Sequence, residues 1–244
     1  MQNLFSATSA STEQKYRHEY KYVCDEMQIA IIQARLRPIL NLDTHTLKQG
    51  SYTIRSLYFD DPHNSCYFEN EHGTDPREKY RIRIYNSNTA RISLELKRKE
   101  RGKTLKTSCM ITEEQCKILM RGDLLPDDPS YPPVLQKLLL QIKTRNFQPK
   151  IIVEYLRIPY VYPIGNVRIT LDKDISSSTC ISSFLDPDIP KRPIMPLGKH
   201  VLEVKYDELL PDYIHTLLQI PQLQHTAFSK YYLCRKFSHQ IERC

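Results

Sequence analysis

A chain of 244 residues can form one large domain or two small ones with a sizeable core, which excludes a fold held together by disulfides alone. Its hydrophobic fraction of 40% and charged fraction of 26% are ordinary globular usage and exclude wholesale disorder. Lys plus Arg total 35 against 28 Asp plus Glu, a surplus of +7 that favours an anionic partner and leaves nucleic acid, membrane surface and phosphate compounds all open.

The first 14 residues are Ser/Thr-rich and read as a flexible N-terminus. From Tyr16 to Val23 the chain alternates as a strand, and Asp25 then stands where a helix N-cap belongs, ahead of Met27, Ile31, Ala34 and Leu36. Pro38 ends that helix. Ser51 to Phe59 is rich in β-branched and aromatic residues and stops at the turn Asp60-Asp61-Pro62. Three strands follow, 78–85, 91–99 and 103–111, joined by connections short enough to force an antiparallel meander. Thr112 and Gln115 have capping-box spacing and start a helix to about Arg121. After a proline-rich loop, 134–144 is helical by its leucine spacing, and strands are expected at 150–159, 166–173 and 200–206. Helices at 211–219 and from the N-cap Ser229 through Ile241 close the chain. The sum is eight major strands in one domain over 15–244.

Several chemistries are excluded by spacing. The six glycines never cluster, so Gly102-Lys103-Thr104 lacks the upstream glycine of a phosphate-cradling loop. Seven cysteines without a CxxC pair, and no HExxH, indicate neither a disulfide framework nor a structural zinc site, and a reducing cytoplasm fits best. No apolar run approaches the roughly 20 residues of a membrane span, so the chain reads as soluble.

What alternates in the strands is informative. Lys79, Arg81, Arg83 and Tyr85 share one face, opposite Tyr80, Ile82 and Ile84. Glu95, Lys97 and Lys99 oppose Leu94 and Leu96; Arg168, Thr170 and Asp172 oppose Val167, Ile169 and Leu171; Glu203 and Lys205 oppose Leu202, Val204 and Tyr206. For one strand this means a solvated face. Repeated over eight strands, it fits an α+β fold in which a closed antiparallel eight-stranded β-tunnel carries its helices outside and its ionic faces inside. Lys21, Arg81, Arg83, Lys97, Lys106, Arg157, Arg168 and Lys205 gathered in one bore with few acids would repel, at about 4 kcal/mol per pair 4 Å apart for an effective dielectric of 20. A multiply charged anion would relieve that repulsion. A bore of this width excludes duplex nucleic acid and admits a linear phosphate chain. Among the acids, Glu19, Glu95, Asp172 and Glu203 either hold a divalent cation or pair with neighbouring lysines.

Tyr20-Lys21-Tyr22, Ser56-Leu57-Tyr58-Phe59-Asp60, the run from Lys79 to Tyr85, Leu94-Glu95-Leu96-Lys97, the run from Leu202 to Tyr206 and Ser229-Lys230-Tyr231 together resemble the VTC domain, the polyphosphate polymerase branch of the triphosphate tunnel metalloenzymes. The resemblance implies an enzyme that uses ATP and Mn²⁺ or Mg²⁺ to lengthen inorganic polyphosphate, releasing ADP. It assigns Lys21, Arg81, Arg83, Lys97, Lys106, Arg157 and Arg168 to the phosphates, Glu203 to the metal, and Ser229 and Lys230 to the acceptor end. Tyr231 is assigned to packing. The tunnel signature ExExK stands here as Arg17-His18-Glu19-Tyr20-Lys21, which argues against a hydrolase relying on paired acids. Ala227 occupies a position where eukaryotic polymerases can carry a further lysine, implying weaker acceptor binding. Those larger polymerases also have membrane helices, so any membrane coupling here is expected to come from a partner protein. A triphosphate hydrolase and a polyphosphate-binding module without turnover are the rival readings, and nucleic-acid binding is not expected, because the arginines alternate within strands and form no exposed basic run.

Overall fold

The computed structural model describes residues 16–44, 46 and 50–241; the segment 1–14 lies outside the described residues. The first strand, β1 (His18–Asp25), leads into α1 (Glu26–Leu36) through the expected cap. Asp25 Oδ1 accepts from Gln28 N at 2.9 Å and Gln28 Oε1 accepts from Asp25 N at 3.0 Å, so two end amides that the helix cannot satisfy are paired. The helix buries Ile29, Ile32 and Leu36. A two-residue strand, β2 (Asn41–Leu42), precedes β3 (Tyr52–Asp60).

A short helix that the sequence pattern does not announce follows, α2 (Ser65–Glu71). Its amides are capped from before its start: Asp60 accepts from Cys66 N and Tyr67 N, and Asp61 from Ser65 N. The aspartates that read as a turn are therefore also the cap. The meander then forms as expected from β4 (Arg77–Tyr85), β5 (Asn88–Glu100) and β6 (Lys103–Ile111). Thr112 caps α3 (Glu113–Met120) with the reciprocal Gln115 bond. Next come α4 (Pro133–Arg145), β7 (Gln148–Tyr162), β8 (Val167–Ser178), the two-residue β9 (Arg192–Pro193), β10 (Lys199–Tyr206), α5 (Asp212–Leu217) and α6 (Lys230–Ile241).

The principal strands form one antiparallel path, β1-β10-β8-β7-β3-β4-β5-β6, with β2 on β7 and β9 on β8. This corrects the expected closed tunnel, because the sheet is an open half-barrel. Its edge strands β1 and β6 meet through one bridge, Arg17 with Thr104, whose two N–H···O bonds are 3.0 and 3.1 Å long. Ionic side chains occupy the seam instead of a ladder. Lys97 Nζ, from β5, donates to Glu19 of β1 at 2.7 and 3.0 Å, and Thr104 Oγ1 donates to Glu19 Oε2 at 3.2 Å. Register shifts at Tyr58/Phe59, Arg83/Tyr85 and Glu154/Leu156 mark irregularities of the kind that bend a sheet.

The apolar faces point outward into two cores. One joins Ile82, Ile84, Leu94 and Ile152 to α3 and α4; the other joins Ile169, Leu171, Leu202 and Val204 to α1 and α5. Each fully buried Leu or Ile adds about 1.5–3 kcal/mol, so the outward faces anchor the sheet and free its concave face for polar residues. Among the described residues, no helix is long and apolar enough to cross a membrane.

Candidate active site

The concave face encloses a cavity of about 430 Å³. Among the described residues, thirteen Lys and Arg line it against two carboxylates, Glu19 and Glu203. Lys21, Arg81, Arg83, Lys97, Lys106, Arg157, Arg168, Lys205, Ser229 and Lys230 all reach it, as strand alternation predicts. Arg168 stands at its outer rim with half its side chain exposed, 3.5 Å from Asp43. Ser229 caps the start of α6, its Oγ accepting from Tyr232 N at 3.3 Å. The N-terminus of α6 thus enters the concave side, so that helix is not wholly external.

Glu95 and Asp172 lie beneath the lining and pair with the cations above. Glu95, 1% exposed, meets Arg81 at 2.7 Å, Lys106 at 2.7 Å and Arg83 at 3.5 Å. Burial works against its charge, yet Arg83, Arg81 and Lys106 hold its carboxyl well below the usual range. Asp172 takes Arg157 through two bonds, 2.6 and 2.8 Å, and Lys230 at 2.6 Å. Lys205 Nζ contacts Glu203 and, at 3.5 Å, Glu19. The expectation of few acids is corrected accordingly: four buried carboxylates offset much of the repulsion, and the bed is balanced at its floor and cationic at its surface.

Other groups in and beneath the lining carry roles that strand parity does not assign. Tyr58 accepts from Arg81 Nη1 at 2.8 Å and Ser56 from Arg83 Nε at 3.2 Å, fixing both guanidinium forks. Tyr155 lies beneath the cations of Arg157 and Lys230, whose charges stand 5.3 and 4.8 Å from its ring centroid. Lys79 and Lys99, which alternation puts on the ionic faces beside Arg81 and Lys97, also line the cavity, as does Arg77, one residue before the expected strand, which the same parity could have found. Tyr231 does more than pack: it lines the cavity and donates its hydroxyl to buried Asp60. The Thr170 hydroxyl, on a residue 6% exposed, lines the cavity and has no hydrogen-bond partner among the described residues.

Among the described residues no three His, Cys, Asp or Glu side chains group as metal ligands. The donors available are Glu203 and Glu19, joined by Lys205. Burial opposes the Glu19 charge, but Lys21 and Lys97 bring its carboxyl down to about 2. Lys205 and Lys21 likewise hold Glu203 low against burial. Two ionised carboxylates suit a hard cation that arrives with phosphate oxygens of its own.

The model of one protein family, the VTC domain, matches residues 16–239. The chain belongs to the VTC domain family. No curated protein matches it. Two solved structures share the fold: a candidate adenylyl cyclase from Hippeastrum, for which a dominant triphosphatase activity is reported (TM-score 0.53, 14% identity, covering 91% of this chain and 96% of that one), and a candidate adenylate cyclase from Bacillus halodurans (TM-score 0.50, 13% identity, 84% and 87%). At these identities the likeness concerns the fold alone. Family membership and the cation-lined bed together assign this VTC domain to phosphoryl chemistry on triphosphates or polyphosphate.

Proposed function

We propose that this VTC domain is a metal-dependent polyphosphate polymerase that transfers the γ-phosphate of ATP to the end of an inorganic polyphosphate chain and releases ADP. The observation that supports it is the convergence of cations from β1, β4, β5, β6, β7, β8, β10 and the start of α6 on one cavity.

Phosphoryl transfer asks for positioning and charge stabilisation rather than covalent chemistry. The guanidinium forks of Arg81, Arg83 and Arg157 orient phosphoryl oxygens and take up equatorial charge. Lys21, Lys97, Lys106 and Lys230 act as point charges. A terminal acceptor oxygen forms the new P–O bond as the bond to ADP breaks; that oxygen is already anionic, so no general base is assigned. Ser229 and Lys230 hold the acceptor end. Glu203, with Glu19, would hold Mn²⁺ or Mg²⁺, which when bound neutralises charge on phosphate oxygens.

Incubation with ATP and Mn²⁺ or Mg²⁺, resolved on a gel, tests the assignment. Chains that lengthen with time as ADP accumulates are expected. Orthophosphate as the sole product would replace the polymerase with a hydrolase, and polyphosphate binding without ATP consumption would leave a binding module.

A further inference from the structure

Acid partners are distributed unevenly around the cavity. Along the inner face of β4, Arg81 and Arg83 both meet Glu95, whereas among the described residues Arg77 and Lys79 have no carboxylate within ion-pair distance. On β5, Lys97 is paired with Glu19, whereas among the described residues Lys99 has no carboxylate within ion-pair distance. These three cations are neighbours by register, because Arg77 stands opposite Lys99, and Lys79 opposite Lys97. Like charges directly opposed across strands are destabilising. Two such pairs in succession at one end of the bed form a rim with surplus charge.

Solvated surface lysines would be the ordinary explanation, but this rim is built and only partly exposed. Lys79 Nζ donates to Asn70 Oδ1 at 2.7 Å and to Ser229 Oγ at 3.3 Å, and stands 4.9 Å from the centre of the Tyr231 ring. Neutral partners position the ammonium without cancelling its charge. Burial, and then the charges of Lys97, Arg77 and Lys21 among its neighbours, push the Lys79 amine down to about 7. An anion placed there would remove both penalties. Contact with Ser229 joins the rim to the end of the cavity where α6 begins.

We infer that Arg77, Lys79 and Lys99 bind phosphates of a linear polyphosphate that extend past the acid-balanced bed, so that this rim makes the protein prefer long chains over tripolyphosphate. The inference rests on the proposed function for its substrate class only, since it concerns binding and not turnover. It also supplies, from β4, a cation near the acceptor end, where Ala227 offers none.

Affinities for inorganic tripolyphosphate and for a long polyphosphate of defined length, measured by calorimetry without ATP, test it. Wild type should bind the long chain more tightly per molecule. In the triple variant Arg77→Ser, Lys79→Ser, Lys99→Ser, the long-chain Kd should rise about tenfold, equivalent to ~1.4 kcal/mol, while tripolyphosphate affinity changes much less. Lys99→Ser alone, which leaves the Lys79 contacts in place, should move the ratio in the same direction. A control triple, Arg91→Ser, Lys137→Ser, Lys143→Ser, removes equal charge from exposed positions and should leave the ratio unchanged. Equal loss for both ligands, no loss for either, or the same shift in the control overturns the inference. Chain synthesis is read separately by gel, so its absence alongside an intact length preference would defeat the polymerase assignment alone.

Discussion

Lys230 Nζ lies 2.6 Å from Asp172 Oδ2, on the carboxylate that Arg157 also grips through two bonds. Asp172 is fully buried and belongs to the floor of the bed, so it organises two phosphate-facing cations without reaching substrate. Breaking a buried pair strands the charges left behind, at about 3–5 kcal/mol. Asp172→Asn should therefore lower the melting temperature by roughly 10 °C. Saturating polyphosphate, binding the folded state, should restore more stability in the variant than it adds to wild type, because it replaces the lost anion. Thermal unfolding with and without polyphosphate measures both. An unchanged melting temperature would show that Asp172 is not needed to hold Arg157 and Lys230.

How far the sequence spoke depended on the range of the interaction. Asp25 and Thr112 were legible as caps because their partners Gln28 and Gln115 stand three residues on. Strand faces were legible because the pleat alternates, and this brought Lys21, Arg157, Glu203 and the rest to one cavity. Closure was not legible, since it depends on how β1 meets β5 and β6 far along the chain, and Lys97 of β5 with Glu19 of β1, 78 residues apart, fills that seam with an ion pair instead of a ladder. Nor could parity separate the lining acid Glu203 from buried Glu95 and Asp172, because all three alternate alike and differ only in depth. The α2 helix went unseen because its capping acceptors sit in the strand before it, at Asp60, and in the turn, at Asp61.

Glu203 separates metal-dependent turnover from anion binding. Glu203→Gln keeps the side-chain shape and removes one of two ionised lining carboxylates. Turnover with ATP and Mn²⁺ should fall by about 10²-fold or more. Polyphosphate affinity measured without metal should hold or tighten, because a negative charge has left a bed built for anions. Retained turnover would remove Glu203 as the metal-holding group.

Thr170, opposite Glu203 in the β8–β10 register, presents a hydroxyl with no partner among the described residues. An unsatisfied buried polar group weighs about 1–3 kcal/mol against the fold. Thr170→Val keeps the shape and removes that group, so unliganded stability should rise by about 1 kcal/mol in denaturant unfolding. Tripolyphosphate affinity should fall, because a phosphate oxygen supplies the missing acceptor when bound. A variant that loses both stability and affinity would instead assign Thr170 to packing.

Proton uptake on binding follows from Lys79 and Lys97. Burial brings both amines from their ordinary 10.5 to about 7, and for Lys97 the attraction of Glu19 offsets burial only in part. Since both values fall on folding, the protonated amines weigh against the folded chain below about pH 7, and that weight lifts as pH rises from 7 towards 10.5. A bound polyanion acts in the opposite sense and raises both values. Between pH 7.5 and 9 the free protein carries these amines largely neutral, and each must regain a proton when polyphosphate binds. Affinity should therefore fall with rising pH through this window, by up to about two decades per unit if both couple fully. Titrations in buffers of different ionisation enthalpy should report net proton uptake at pH 8. The Lys79→Met variant should lose about half of that uptake. Binding with no proton exchange at pH 8 would mean that the two ammonium groups are already charged in the empty bed.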